Sequence, residues 1–422
     1  MKYANISMEK KLQNEGNLGD YIQFIAIENL YKKMGLKEND IIRIEYWDLM
    51  DYNGEEVILP INFFYSNPSE DDKPIILSSK IHPVYLGVHL PRQLAREEFD
   101  YFISNAPIGC RDEYTYNLLK PEFEKRNKQN ELYLQGCITA TLPTRSEGKY
   151  NCVYLIDIPE FIEDMIPSEI TCCAIRMSHL LYSNLKDIYT EQGFACAEEY
   201  TKNRLEIYRD TARLVITSRM HCAVPCIAMG IPVVFIVPVM SSRFSWLEKL
   251  IPIYTYDEID KVNWNPIPAY YEEQKEMIIK SAINRITGNK GDSIYNQVHN
   301  WYMDRNRKEF DFCAGMEMLY NYAREKWSAD QEFKYILWGV TATTKDVYMW
   351  ISRNYSSAKL MAIIDEYRDI EFLGLQTSRS SCLSDYPDCY YIGTGASASM
   401  AMKKVLRELG EEWMERGIPI IP

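Results

Sequence analysis

Short apolar runs alternate with longer segments of helical period along most of this chain. Residues 3–7, 41–47, 75–77, 84–88 and 108–110 read as strands. Helices are predicted at about 21–34, 96–104 and 113–119. A polar stretch at 144–149 precedes a second series, with strands at 152–156, 171–176, 214–216 and 233–236. Helices at about 272–286 and 310–327 close that series. Residues 328–331 read as a linker, after which the pattern restarts. Strands follow at 334–338, 359–364 and 389–392, with helices at 346–353 and 398–409. Strands separated by helices argue for parallel sheets. The expected fold is therefore α/β: Rossmann-like halves at 1–145 and 146–328, then a small Rossmann-like α/β domain at 329–422.

The densest chemistry lies between Thr211 and Ile236. The pattern predicts a strand, a loop holding Arg219 and His221, a helix with Pro225 in its first turn, and a second strand after Gly230. In open parallel sheets, ligands bind beyond the carboxyl ends of strands, beside helix N-termini. A guanidinium and an imidazole placed there suit an anionic substrate that gains or loses a proton. A structural histidine is the plain alternative, and the Arg-x-His spacing weighs against it.

Three other places carry candidate chemistry. Gly16 and Gly19, in the loop 14–20 beside Asn17, let backbone approach a ligand, or else make a tight turn with Asp20 as helix cap. Arg111 follows a predicted strand and has the fork geometry for a carboxylate or phosphate, against a plain ion pair with Asp112 or Glu113. Arg243, next to Ser242, either reaches the same pocket mouth or is a solvated surface residue. His82, His89, His179 and His299 have no comparable setting in the sequence. Gly339 and Asp365 mimic the start of a nucleotide-binding unit, but the three-glycine pattern is missing there, which favours a structural or regulatory module.

Composition narrows the partners. A formal net charge of −13 over 422 residues disfavours nucleic acid and general membrane-surface binding. The 11 cysteines show no metal-ligand spacing and read as free core thiols of a reducing cytosol, so no metal site is expected. No apolar run reaches the length of a membrane span, and the N-terminus lacks a signal core. The reading is cytoplasmic, with any lipid-linked substrate met at the inner face of the membrane. Oligomeric state is not legible.

Three stretches in order, Gly16-Asn-Leu-Gly-Asp20, Cys110-Arg-Asp-Glu-Tyr-Thr115 and Ala212–Ile236 with its Thr-Ser-Arg-Met-His core, resemble the polysaccharide pyruvyl transferase family. The resemblance covers about 14–247. It implies a two-domain arrangement similar to GT-B glycosyltransferases, with the site in the cleft. It also implies transfer of an enolpyruvyl group from phosphoenolpyruvate, with no further cofactor, to a sugar of a surface glycan or lipid-linked oligosaccharide. His221 then matches the family's catalytic histidine, and Arg111 and Arg219 match active-site positions. Arg243 falls where relatives often carry a donor-binding lysine. Asp20 is a weaker candidate for handling the acceptor hydroxyl, with Asn17, Gly19 and Ser242 as substrate contacts. Residues 57–64 depart from the family by lacking its glycine cluster. A nucleotide-sugar glycosyltransferase and a non-catalytic relative remain the alternatives.

Overall fold

The computed structural model describes residues 2–9, 16–62, 76–90, 94–181, 185–238, 240–289, 294–304, 316–328 and 331–420. The chain forms two compact units, Met1–Phe310 and Asp311–Pro422.

The first unit contains two parallel sheets. One is built from β1 (Lys2–Ser7), β2 (Ile41–Glu45), β3 (Val57–Ile61), β4 (Ile81–Val88), β5 (Ile108–Cys110) and β6 (Leu132–Leu134), in spatial order β2-β1-β3-β4-β5-β6. The other contains β7 (Cys152–Ile156), β8 (Ile175–Met177), β9 (Ala212–Thr217), β10 (Val233–Val237) and β11 (Ile253–Thr255), in order β11-β10-β9-β7-β8. In each sheet the second strand lies outside the first and the third lies on the first strand's other side. The winding therefore reverses between β1 and β3, and again between β7 and β9. Crevices open at the carboxyl ends of such strand pairs.

Helix α1 (Leu18–Lys33) lies in the core shared by both sheets. Twelve of its 16 residues are buried, so its sequence is apolar almost all round rather than along one stripe. One continuous cluster joins Ile22 and Ile25 of α1 to Leu86 and Leu134 of the first sheet and to Val215 and Phe235 of the second. A two-residue antiparallel ladder, Gly16–Asn17 with Leu180–Leu181, also ties the halves together.

The sequence reading needs correction at several elements. α1 begins at Leu18, so Asn17 rather than Asp20 caps it, its side chain accepting from Gly19 N at 3.0 Å. Val57–Ile61 is an interior strand, although Pro60 argues against one. Residues 171–176 divide between a short helix, Ser168–Thr171, and β8. Ile76 and Leu77 lie outside any strand, and Ile75 is outside the described residues. Of the helix read at 310–327, residues 316–326 are helical and 310–315 are not described. Cys172 and Cys173 are exposed rather than core thiols.

The second unit contains β12 (Lys334–Trp338), β13 (Lys359–Ile364), β14 (Cys389–Thr394) and β15 (Gly417–Ile420), parallel in the order β13-β12-β14-β15. Its winding reverses between β12 and β14.

Candidate functional site

Helix α2 (Met220–Ala228) begins immediately beyond β9, with Arg219 at its N-cap. Arg219 and His221 are thus at a helix start, not in a free loop, and His221 sits in the first turn. Pro225 falls in the second turn, where its missing N–H leaves the His221 carbonyl without an i+4 donor. The N-termini of α1 and α2 meet. A Cβ built on Gly19 would lie 3.0 Å from both Cβ and Nδ1 of His221. Only glycine permits this approach without displacing the ring.

Arg219 is held from the adjacent strand end. Its Nε donates to Asp157 Oδ2 at 3.0 Å, across the reversal point between β7 and β9. Asp157 has φ +51°, a left-handed conformation that aspartate tolerates better than most residues. That turn lets one carboxylate serve several donors. Ser178 Oγ donates to Oδ1, and His179 N donates to Oδ2 at 3.1 Å. The His179 carbonyl then accepts from Leu18 N at 2.9 Å, so Asp157 is linked to the start of α1. Asp157 escaped the sequence reading, although an Asp directly after an apolar strand was a usable signal.

Arg111 lies beyond β5 and is 1% exposed. Neither ion pair considered for it forms. Its Nη2 donates to Gln23 Oε1 at 2.6 Å and its Nε to the Gly87 carbonyl at 3.0 Å. Among the described residues no carboxylate lies within ion-pair distance of Arg111, so a buried positive charge is held by neutral acceptors. Asp112 instead faces His89, with Nδ1 to Oδ2 at 2.6 Å, and caps the next helix, Glu113–Lys125, by accepting from Thr115 N. Burial drives His89 toward its neutral form. Burial would raise Asp112, yet the His89 contact holds it below the usual carboxylate range. The pair is therefore imidazole N–H to carboxylate. His89 and His179 thus both lie close to this region.

Arg243 is not a solvated surface residue. Burial and the neighbouring Arg111 lower its pKa, while Asp112 and Asp20 pull the other way. Its Nε and the Ser242 hydroxyl are buried without a hydrogen-bond partner among the described residues. Asp20, in the first turn of α1, is raised to about 6 by burial, against the opposing pull of Arg111 and Arg243. His221 is held well below the ordinary histidine range, first by burial, then by Arg111 and Arg243. Asp20, Arg219, His221 and Arg243 all keep partial solvent access. Charged groups of both signs are therefore packed closely here while still reaching water.

The structure therefore brings Asp20, Arg111, His221 and Arg243 into one electrostatic group. Arg219 is linked to the same place through Asp157, and Gly19 lies against the histidine, with its N–H capped by Asn17 Oδ1. Gly339 and Asp365 belong to the other unit, where the hydrogen bonding is already internal. Asp365 accepts from Val340 N and from Arg368. A Cβ on Gly339 would meet Ala398 Cβ at 2.5 Å, so close packing explains that glycine.

Residues 17–238, just over half of the chain, match the polysaccharide pyruvyl transferase family. The chain belongs to that family. Its description is that of a transferase acting on polysaccharide, and the match spans the starts of α1 and α2 together with Arg111. A solved structure of an uncharacterised protein from Klebsiella pneumoniae is similar over 56% of this chain and 83% of its own, at 15% identity and a TM-score of 0.30. No curated protein matches. No helix among the described residues is long and apolar enough to cross a membrane.

Proposed function

We propose that this protein transfers the enolpyruvyl group of phosphoenolpyruvate to a sugar hydroxyl of a surface polysaccharide or its lipid-linked precursor, and closes a pyruvate ketal. The observation that carries this, beside family membership, is a histidine held neutral by burial and by Arg111 and Arg243, neither of which has a carboxylate within ion-pair distance among the described residues. We read the two sheets of the first unit as a GT-B-like pair with the site between them.

Phosphoenolpyruvate brings a phosphate and a carboxylate. Arg111 and Arg243 supply the positive charge for them, and Arg219, fixed at Nε by Asp157, adds a third guanidinium beside them. The bound anion offsets the two arginines that depress His221. The imidazole then takes up a proton only when the donor is present, and can deliver it to C3 of the enol. Such a positioned acid contributes about 10²–10⁴-fold in rate. C2 becomes electrophilic, and a sugar hydroxyl attacks it and loses its proton to Asp20. Phosphate leaves with the C2–O electron pair. A neighbouring hydroxyl adds to C2 and loses its proton to the departing phosphate, completing the ketal.

The test is phosphate release from phosphoenolpyruvate against a panel of glycosides and lipid-linked sugars. Release is expected to require acceptor and to fall by at least about 10³-fold in His221→Ala. Wild-type turnover in His221→Ala would remove the histidine from the mechanism. Thermal stabilisation by a nucleoside diphosphate but not by phosphoenolpyruvate would instead favour a nucleotide-sugar transferase.

A further inference from the structure

Two carboxylates lie near Arg111, and neither pairs with it. Asp112, the next residue, is held by His89, with Nδ1 to Oδ2 at 2.6 Å, and accepts from Thr115 N at 2.9 Å. Asp20 is the other. Burial dominates its setting, and Arg111 is the strongest charge opposing that burial, ahead of Arg243. No ion pair joins Asp20 to either arginine among the described residues.

One side chain stands between Asp20 and Arg111. Gln23 lies three residues after Asp20 on α1, a spacing that puts both on one face of the helix. It is 2% exposed. Its Oε1 accepts from Arg111 Nη2 at 2.6 Å, and its Nε2 donates to Asp20 Oδ1 at 3.4 Å. A guanidinium has donors only, so the amide oxygen must face Arg111 and the NH2 must face Asp20. The reverse orientation would set donor against donor.

Direct contact between Asp20 and Arg111 would have two consequences. It would cancel the charge that Arg111 offers to an anion, and it would hold Asp20 ionised. Such a pair exists close by, where Arg219 Nε donates to Asp157 Oδ2 at 3.0 Å. Arg111 instead has two neutral acceptors, the Gln23 amide and the Gly87 carbonyl at 3.0 Å. They satisfy its buried N–H groups without adding negative charge.

We infer that Gln23 is a positioning residue whose amide separates Asp20 from Arg111, leaving the guanidinium free of a carboxylate so that it can receive an anionic group of the donor. This rests on the reading of Arg111 as a donor-binding residue. It adds the device that keeps that arginine uncompensated.

The experiment measures two quantities on the full-length protein. One is the titration midpoint of Asp20, followed by the ¹³C carboxyl signal of aspartate-labelled, ligand-free protein and assigned by its loss in Asp20→Asn. The other is the Kd of phosphoenolpyruvate by calorimetry. Gln23→Ala removes the spacer. The Asp20 midpoint should fall by about one pH unit or more as the carboxylate meets Arg111, and phosphoenolpyruvate should bind about tenfold more weakly. Gln23→Glu keeps the shape and sets a carboxylate on Arg111. Phosphoenolpyruvate should again bind about tenfold more weakly, but the Asp20 midpoint should rise, because a like charge now faces it. A merely structural role would not move the midpoint in opposite directions. An unchanged midpoint in Gln23→Ala, or a lowered midpoint with an unchanged Kd, overturns the inference. So does a lowered midpoint in Gln23→Glu, which decides by itself if Gln23→Ala does not fold. Absence of phosphoenolpyruvate binding by the wild type overturns the functional reading instead, and the Asp20 midpoints still decide whether Gln23 separates the pair.

Discussion

Burial raises Asp20 from 3.8 to about 6, so the folded protein holds this proton where the unfolded chain has released it. Stability from this group is full below pH 4, is lost as pH rises from about 4 to 6, and stays lost above that. Asp20→Asn cannot ionise, and it should be more stable than wild type at pH 7 by on the order of 1–3 kcal/mol, with the gain vanishing near pH 4. Denaturant midpoints at the two pH values check this. A less stable variant at pH 7 would show that Asp20 is not destabilised by its setting. Transferase activity should be lost with the carboxylate, so stability and activity move in opposite directions. Gly19→Ala tests the contact between helix starts. Alanine favours a helix by up to about 1 kcal/mol, but its methyl would press on His221 at 3.0 Å. Near-normal melting with at least about tenfold lower kcat is expected. Asp157→Asn keeps the left-handed turn but removes the charge beneath Arg219. It should raise KM for phosphoenolpyruvate about tenfold, equivalent to roughly 1.4 kcal/mol, and an unchanged KM would separate Arg219 from donor binding.

At the scale of elements, the starts of α1 and α2 act as one structure, and the halves around them are joined by charge as well as by apolar packing. Arg43 on β2 reaches Glu28 on α1 and Glu198 on the helix Ala197–Thr211, with Nη1 to Glu198 Oε2 at 3.0 Å. Lys202 meets Glu28 and Glu198 at 2.8 and 2.7 Å. Arg43→Leu leaves two enclosed carboxylates sharing one lysine and should cost about 3 kcal/mol, read as a lower denaturation midpoint with activity retained at low temperature. The strands on which the site stands were legible because apolar runs such as 108–110 and 233–237 bury both faces. Arg111 and His221 were found because each follows such a run closely. Asp157 was missed because its importance depends on a neighbour 62 residues away in sequence, a separation that no local pattern encodes. The interior strand at 57–61 was hidden by its proline. The buried ends of α1 were hidden because an apolar helix has no amphipathic period to mark its boundaries.

For the whole molecule, each unit closes a core of its own. In the second, one face of the sheet packs Leu337, Ile363 and Ile392 against Leu319 and Ala323 of the helix Met316–Lys326 and Val347 and Ile351 of the helix Ala342–Asn354. The other face packs Ile336, Trp338 and Tyr391 against Met402 and Leu406 of the helix Ala396–Leu409. Both faces of the four-stranded sheet are thus covered by helices from within the unit, the condition for a parallel sheet to be stable alone. A chain of roughly 100 residues with one such sheet has the size of an independently folding domain. Residues 311–422 expressed alone should therefore melt in a single cooperative transition, followed by circular dichroism and calorimetry. Residues 1–310 contain every residue assigned to the transfer, from Asn17 to Arg243, and should keep phosphoenolpyruvate-dependent stabilisation without the second unit. A non-cooperative melt of the isolated second unit would mean that its core is incomplete by itself. Loss of phosphoenolpyruvate binding by the isolated first unit would mean that the second contributes to the site. If both units behave as expected, the second unit's role is separable from donor chemistry and must be sought in acceptor choice, assembly or regulation.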